Sequence, residues 1–132
     1  MPSPIVYLTA DQILELHRLA LTLGGVDGVR SEHGLMSAVF QPQQSVFGED
    51  AYPSLAEKAA AYAFFIAENQ PFLDGNKRTA ALALTTFLDL NGHELWESVE
   101  TELATVLLDL GNKVIDQSEF FGWVLNHTRA RV

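Results

Sequence analysis

The sequence contains no cysteine, which excludes disulfide bonds, thiolate catalysis and cysteine-bound metal sites together. Long apolar runs are absent too, because the longest spans only the nine residues 59–67 and a bilayer crossing needs about 20. At the N-terminus, no basic stretch precedes an apolar run, as a signal peptide would require. We therefore expect a cytoplasmic protein that does not bind a membrane.

Positive charge is scarce as well. Eight lysines and arginines stand against 17 aspartates and glutamates, which gives a formal net charge of −9. A surface this acidic repels a phosphate backbone, so nucleic acid is a poor candidate partner. Against this background the adjacent cations Lys77 and Arg78 suggest a local anion site, although solvated surface charge is the commoner explanation for such a pair.

Helical periodicity dominates the chain, and no repeat, low-complexity tract or linker divides it, so we predict one all-α domain over residues 1–132. Strand-like alternation is weak throughout, and residues 43–53 are predicted to form an exposed loop or a small hairpin. The helices flanking the loop 70–76 are apolar nearly all round, which places both in the middle of a bundle. The predicted helices run from 10 to 23 after Thr9, from Ser31 to Pro42, from a capping box at Ser54 and Glu57 to 68, from 77 to 90, from 99 to 110 after Ser98, and from 119 to 127 after Ser118.

The loop from Gln70 to Asn76 joins the two helices that we predict to be most buried, and it enters the second of them directly. The N-terminus of a helix offers unpaired amide groups and a partial positive charge, which together favour a bound anion. Gly75 permits a left-handed turn and a close approach of the backbone to a ligand. Asn76 can either cap the helix or bind an oxygen through its amide.

Lys77 and Arg78 lie in the first turn of that helix, where the dipole opposes cations, and a bound polyphosphate would resolve the conflict. Asp74 can hold Mg²⁺ that bridges the same phosphates, since Mg²⁺ usually takes one or two carboxylates plus phosphate oxygens. A plainer interpretation is also open. Asp-Gly-Asn is common in turns, and Lys and Arg are common on helix surfaces.

Residues 70–80, Gln-Pro-Phe-Leu-Asp-Gly-Asn-Lys-Arg-Thr-Ala, closely resemble the Fic/Doc signature H-P-F-x-D-G-N-K-R-T-A in its Doc-like form. Segments 28–38, 52–60 and 87–92 are also similar to the family in residue identity and spacing, so the resemblance extends from about Tyr7 to Trp123. It implies a compact helical bundle around two buried central helices. Residues 43–53 would then be the flap, the segment that docks a protein substrate.

The resemblance also implies that the loop binds the phosphates of ATP, with Mg²⁺ on Asp74 and further nucleotide contacts from Phe72, Gly75, Asn76, Lys77 and Arg78. Fic enzymes usually carry G-N-G-R and transfer AMP, whereas Doc-like toxins carry G-N-K-R and transfer phosphate. Lys77 therefore implies a Doc-type toxin that phosphorylates a hydroxyl group of a protein in the translation machinery. A cognate antitoxin is expected as its regulator.

Gln70 departs from the family pattern, because a histidine that acts as general base should stand in its place. An amide has no useful basicity near neutral pH, so the catalytic set implied by the resemblance becomes Gln70, Asp74, Asn76, Lys77 and Arg78. Three interpretations stay open: slowed phosphate transfer, transfer of AMP or UMP, or an inactive module that binds a nucleotide or a partner. The four histidines lie outside the loop, and we predict surface or cap positions for them: His17, His33, His93 and His127.

Overall fold

The structure, a computed structural model, describes residues 4–96 and 100–132. Within these ranges it contains six α-helices: α1 (Ala10–Ala20), α2 (Glu32–Phe40), α3 (Leu55–Asn69), α4 (Asn76–Leu90), α5 (Glu100–Gly111) and α6 (Gln117–His127). Four short strands complete it: β1 (Ser45–Val46), β2 (Glu49–Asp50), β3 (His93–Leu95) and β4 (Thr128–Ala130). None of the described helices combines the length and the apolar character that a membrane crossing needs.

Helices α3 and α4 form the centre of the bundle, as predicted. Alanines on their facing sides are fully buried, among them Ala60 and Ala63 on α3 and Ala80 and Ala83 on α4. Such small side chains let two helices approach closely, so α3 makes its most extensive contact with α4. Helices α2 and α6 also pack against α3, and α1 packs against α4. The compact, mostly helical fold is confirmed, and it places the α3–α4 loop at one end of the central pair.

The first two helices begin where the sequence predicts. Thr9 caps α1 in a full capping box with Gln12, and Ser31 caps α2 by accepting a hydrogen bond from the Gly34 amide. The predicted first helix is shorter in its α form, because residues 21–23 make a single 3₁₀ turn. Pro42 lies in a similar 3₁₀ turn that follows α2.

The capping box predicted for α3 is incomplete, and the cap predicted for α6 is wrong. Ser54 caps α3, but Glu57 bonds the Ser54 hydroxyl at 3.0 Å instead of its backbone amide, so the capping box is incomplete. Helix α6 starts two residues earlier than predicted, because Asp116 takes the cap position predicted for Ser118 and forms a capping box with Glu119. The predicted cap Ser98 lies outside the described residues.

Both strand pairs are antiparallel and small. The first is the hairpin expected within residues 43–53, with β1 paired to β2 through the register Ser45↔Asp50 and Val46↔Glu49. The second pairs β3 with β4 and was not predicted, because strands of three residues are too short to show alternation. It forms where β4, near the end of the chain, lies beside the segment that follows α4. The paired residues Glu94 and Arg129 are 35 positions apart in the sequence.

Candidate nucleotide-binding site

The loop between α3 and α4 starts at Gln70, which ends α3 in the left-handed conformation with φ 45° and ψ 60°. Residues other than glycine rarely adopt positive φ, and those that do cluster at functional sites. Arg30 stabilises this turn, since its Nε donates to the Gln70 carbonyl and its Nη2 to the Asn69 carbonyl, both at 2.9 Å. The guanidinium thus satisfies carbonyls at the negative end of the α3 dipole.

A strand-like segment before α2 runs beside the loop and fixes its course. The amides of Arg30 and Ser31 both donate to the Pro71 carbonyl, at 2.7 and 3.0 Å, and the Leu73 amide donates to the Gly28 carbonyl at 3.0 Å. Gly28 has φ +141°, and a Cβ there would lie 2.8 Å from the Leu73 side chain. The positive φ favours glycine at this position, and a larger residue would also force the exposed Leu73 side chain to move.

Asn76 ties the loop to the start of α4. Its Oδ1 accepts from the Phe72 amide at 3.0 Å, and its Nδ2 donates to the Phe72 carbonyl at 2.9 Å. Asn76 is the first residue of α4, and the cap position belongs to Gly75, which has φ 80°. Of the two roles expected for the Asn76 amide, capping is therefore wrong, and the observed bonds engage the amide within the loop.

The N-terminus of α4 has the free donors that an anion site needs. Its first helical hydrogen bond runs from the Thr79 amide to the Gly75 carbonyl at 2.9 Å. The amides of Asn76, Lys77 and Arg78 precede that bond, so they have no acceptor inside the helix. Together with the helix dipole they can hold negative oxygen atoms.

A cavity of about 600 Å³ opens directly over this helix start. It brings together six of the seven predicted site residues: Gln70, Asp74, Gly75, Asn76, Lys77 and Arg78. The remaining walls come from the end of α3, from the loop and from the turn after α1, at Ala67, Leu73, Leu23, Gly24 and Gly25. The sequence did not indicate that this turn after α1 would complete the site.

Phe72, the seventh predicted residue, does not line the cavity. Its ring is 0% exposed and stacks on His17, with ring centroids 3.8 Å apart and planes within 8°. A ring in this position cannot contact a nucleotide in the cavity. Phe72 instead supports the loop from the core side.

His17 is the residue whose role the sequence analysis missed. It is only 3% exposed, and its Nε2 lies 2.9 Å from the Asp74 carbonyl, so the ring nitrogen donates there. The predicted surface or cap position is therefore wrong for His17. A signal was present, because His17 follows Ile13 by four residues and so shares the apolar face of α1.

Asp74 is held at two points while its side chain stays exposed. Its carbonyl accepts the His17 bond, and its Oδ2 accepts from the Val26 amide at 2.9 Å. The second carboxylate oxygen can therefore meet a cation. In the described ranges no cluster of three or more His, Asp or Glu residues could hold a metal, so Mg²⁺ here would need phosphate or water oxygens in addition to Asp74.

The two cations lie on the rim of the cavity, both exposed. Arg78 donates from Nη1 to the carbonyls of Ala20 and Gly24 at 3.3 Å each, which also stabilises the end of α1. Lys77 extends toward Gly111, where an added Cβ would lie 3.0 Å from the Lys77 Cε. Neither cation forms an ion pair with a residue that the structure describes, so both charges are available to an anion.

Comparison with known proteins agrees with this geometry. The model of the Fic/DOC family matches residues 7–88, which include the whole loop and nearly all of α4. The toxin Doc of Mycolicibacterium smegmatis is 41% identical to this chain over 103 residues, which are 78% of this chain and 78% of that protein. The chain therefore belongs to the Fic/DOC family.

Proposed function

We propose that this protein is a Doc-type toxin that transfers the γ-phosphate of ATP to a hydroxyl group of a translation protein, under the control of a cognate antitoxin. One observation carries the proposal: free helix amides, the Asp74 carboxylate and two cations converge on a single cavity. The 41% identity to a protein named toxin Doc supports the toxin class. Free helix amides and cations beside a carboxylate suit a magnesium-bound phosphate group.

In this proposal different groups of the site bind different parts of the magnesium nucleotide. Amides at the start of α4 take phosphate oxygens, while Lys77 and Arg78 neutralise charge at the rim. Asp74, with one carboxylate oxygen free, would hold Mg²⁺. When bound, the metal would neutralise charge on the phosphates and keep them aligned for transfer.

In the reaction, the bond between Pγ and the β-phosphate bridging oxygen breaks, and a bond forms from Pγ to the acceptor oxygen. ADP leaves, and the hydroxyl proton passes to water. Gln70 lines the cavity and can orient the hydroxyl by accepting its hydrogen bond. Because phosphoryl transfer depends mostly on positioning and electrostatics, a glutamine can serve where a strong base is missing.

No described histidine offers a base at the cavity. His17 lies beneath the loop with its Nε2 committed to the Asp74 carbonyl, and no histidine lines the cavity. A positioned general base typically contributes about 10²–10⁴-fold to a rate. We therefore expect slow transfer, and we expect Gln70→His to accelerate it by a factor in that range.

Lys77 supports transfer of phosphate over transfer of AMP or UMP. Its side chain extends from the start of α4 toward Gly111 and lines the cavity, so it fills space that a glycine at position 77 would leave open. A nucleotide would then be expected to place its terminal phosphate, and not its α-phosphate, beside Gln70.

The test uses ATP labelled at either the γ- or the α-phosphate, with Mg²⁺, the purified protein and a bacterial translation extract. Label from the γ position on a protein of the extract is the expected result. Label from the α position would instead establish nucleotide transfer. If MgATP binds but only the Gln70→His variant labels any protein, the natural chain is an inactive binding module.

Expression in bacteria provides the second test. We expect growth to stop and amino-acid incorporation to fall, and we expect Asp74→Ala to relieve both effects. Normal growth and incorporation at high expression of the natural chain would contradict the toxin assignment.

A further inference from the structure

Lys58, in the first turn of α3, is a charged residue inside the core. Its side chain is 0% exposed, and the positive end of the helix dipole makes this an unfavourable place for a cation. Burial of an ammonium group is costly unless it is paired and hydrogen-bonded. Its two acceptors are the Asp50 Oδ2 at 2.9 Å and the Tyr52 carbonyl at 2.6 Å.

Both acceptors belong to the flap, residues 43–53. Asp50 is the last residue of β2, and Tyr52 lies two residues beyond it. The ammonium group therefore holds the second half of the hairpin against α3. The flap needs such support, since each strand has only two residues and all four are exposed. A two-stranded hairpin of this size is marginal in water by itself.

The tip of the flap has the features of a contact surface. The Phe47 side chain is fully exposed to solvent. It has φ 53° in a turn with Gly48, whose φ is 81°. A bulky residue with positive φ is strained, and such strain is typical of functional positions. A fully exposed aromatic ring at a tip also offers apolar area to a partner protein.

We propose that Lys58 is the positioning residue of the flap: through Asp50 and Tyr52 it holds the hairpin in one orientation, so that Phe47 meets the acceptor protein. The inference rests on the proposed function, because it assigns the flap to the protein acceptor of that reaction. Neither Lys58 nor its two acceptors line the cavity, so its effect should be confined to the acceptor protein.

The chain offers a matched pair of variants in one strand. Asp50→Ala removes the acidic partner of Lys58, whereas Glu49→Ala removes an equal charge from the adjacent position of β2, where no ion pair with a described residue is lost. Hydrogen exchange followed by mass spectrometry reports the flap directly. We expect Asp50→Ala to speed exchange of the flap amides by about tenfold or more and Glu49→Ala to leave it near the natural rate.

Transfer is then measured with γ-labelled MgATP against increasing concentrations of bacterial translation extract. For Asp50→Ala we expect the extract concentration that gives half-maximal labelling to rise by about tenfold, while the Kd for MgATP stays within about twofold. Replacement of Phe47 by Asn, which tolerates positive φ, should raise the same half-maximal concentration without faster flap exchange.

Different outcomes overturn different claims. Unchanged flap exchange in Asp50→Ala, or an equal weakening of MgATP binding, would refute the positioning role of Lys58. Faster exchange with unchanged half-maximal labelling would show that Lys58 orders the flap without serving the acceptor, which also refutes the proposal. Absence of labelling by the natural protein and by Gln70→His would refute the proposed function, and the exchange experiment would still decide whether Lys58 holds the flap.

Discussion

Asp74→Asn is expected to change ATP affinity in opposite directions with and without magnesium. The asparagine keeps an oxygen that can accept the Val26 amide bond, now 2.9 Å long, so the shape of the loop should survive. The substitution therefore removes one negative charge and little else. Without Mg²⁺ that charge repels the phosphates, whereas with Mg²⁺ it attracts the metal that the phosphates carry.

The size of the effect follows from the exposure of Asp74, which places it in water-like surroundings. Two unit charges about 4 Å apart in water interact by about 1 kcal/mol, which corresponds to roughly fivefold in Kd. Without Mg²⁺ we expect ATP to bind the variant about fivefold more tightly. With Mg²⁺, loss of a direct ligand to a divalent ion should weaken binding by about tenfold or more.

Isothermal titration calorimetry at low ionic strength measures both arms, with EDTA in one and excess Mg²⁺ in the other. Low salt is needed because the Debye length falls to about 8 Å at 0.15 M. Asp11→Asn, which removes an equal charge from the exposed first turn of α1, is the control and should change neither value appreciably. Weakening by the same factor in both arms would show that Asp74 acts through loop shape alone, and our electrostatic reasoning would then fail.

Three further predictions concern the residues beneath and behind the loop. His17→Leu should lower the free energy of unfolding by about 1 kcal/mol, because the partly buried hydrogen bond to the Asp74 carbonyl loses its donor; thermal melting would detect it, and an unchanged melting temperature would contradict it. Asn76→Ala removes both hydrogen bonds to Phe72 and should weaken MgATP binding in calorimetry, with equal affinity as the contrary result. Burial raises the pKa of Tyr62 from 10.0 to about 12, against the opposing Leu8 hydrogen bond, so the unfolded chain loses this proton first as pH rises. Stability should therefore fall between pH 10 and 12 in chemical denaturation, and Tyr62→Phe should remove that part of the slope.

Most of the helices could be predicted from the sequence, because cap residues and apolar periodicity mark them locally. Thr9 and Ser31 are cap residues followed by apolar positions at helical spacing, and both caps were found in place. Competition between neighbouring caps was not accessible, as Asp116 shows by displacing Ser118. The pairing of β3 with β4 was also missed, since strands of three residues gain their stability from each other and not from a local pattern.

The site was predicted only in part, because neighbours in the chain could be recognised and the direction of each side chain could not. Residues adjacent in the chain, from Asp74 to Arg78, meet at the cavity because the start of one helix holds them together. Phe72 belongs to the same stretch, yet its ring turns into the core and stacks on His17. Alternation along a loop cannot be read as helical or strand periodicity can, so the direction of each loop side chain depends on its tertiary neighbours.

The sequence by itself determined the helical composition, the family and the run of residues to which we assign phosphate binding as a proposal, because each of these depends on groups close together in the chain. Tertiary structure alone decided that His17 and the Val26 amide hold Asp74, that Arg30 fixes the turn at Gln70, and that a buried Lys58 grips the flap. Hydrogen bonds and ion pairs of this kind join distant segments. They form only when the packed helices bring a donor and an acceptor within about 3 Å of each other.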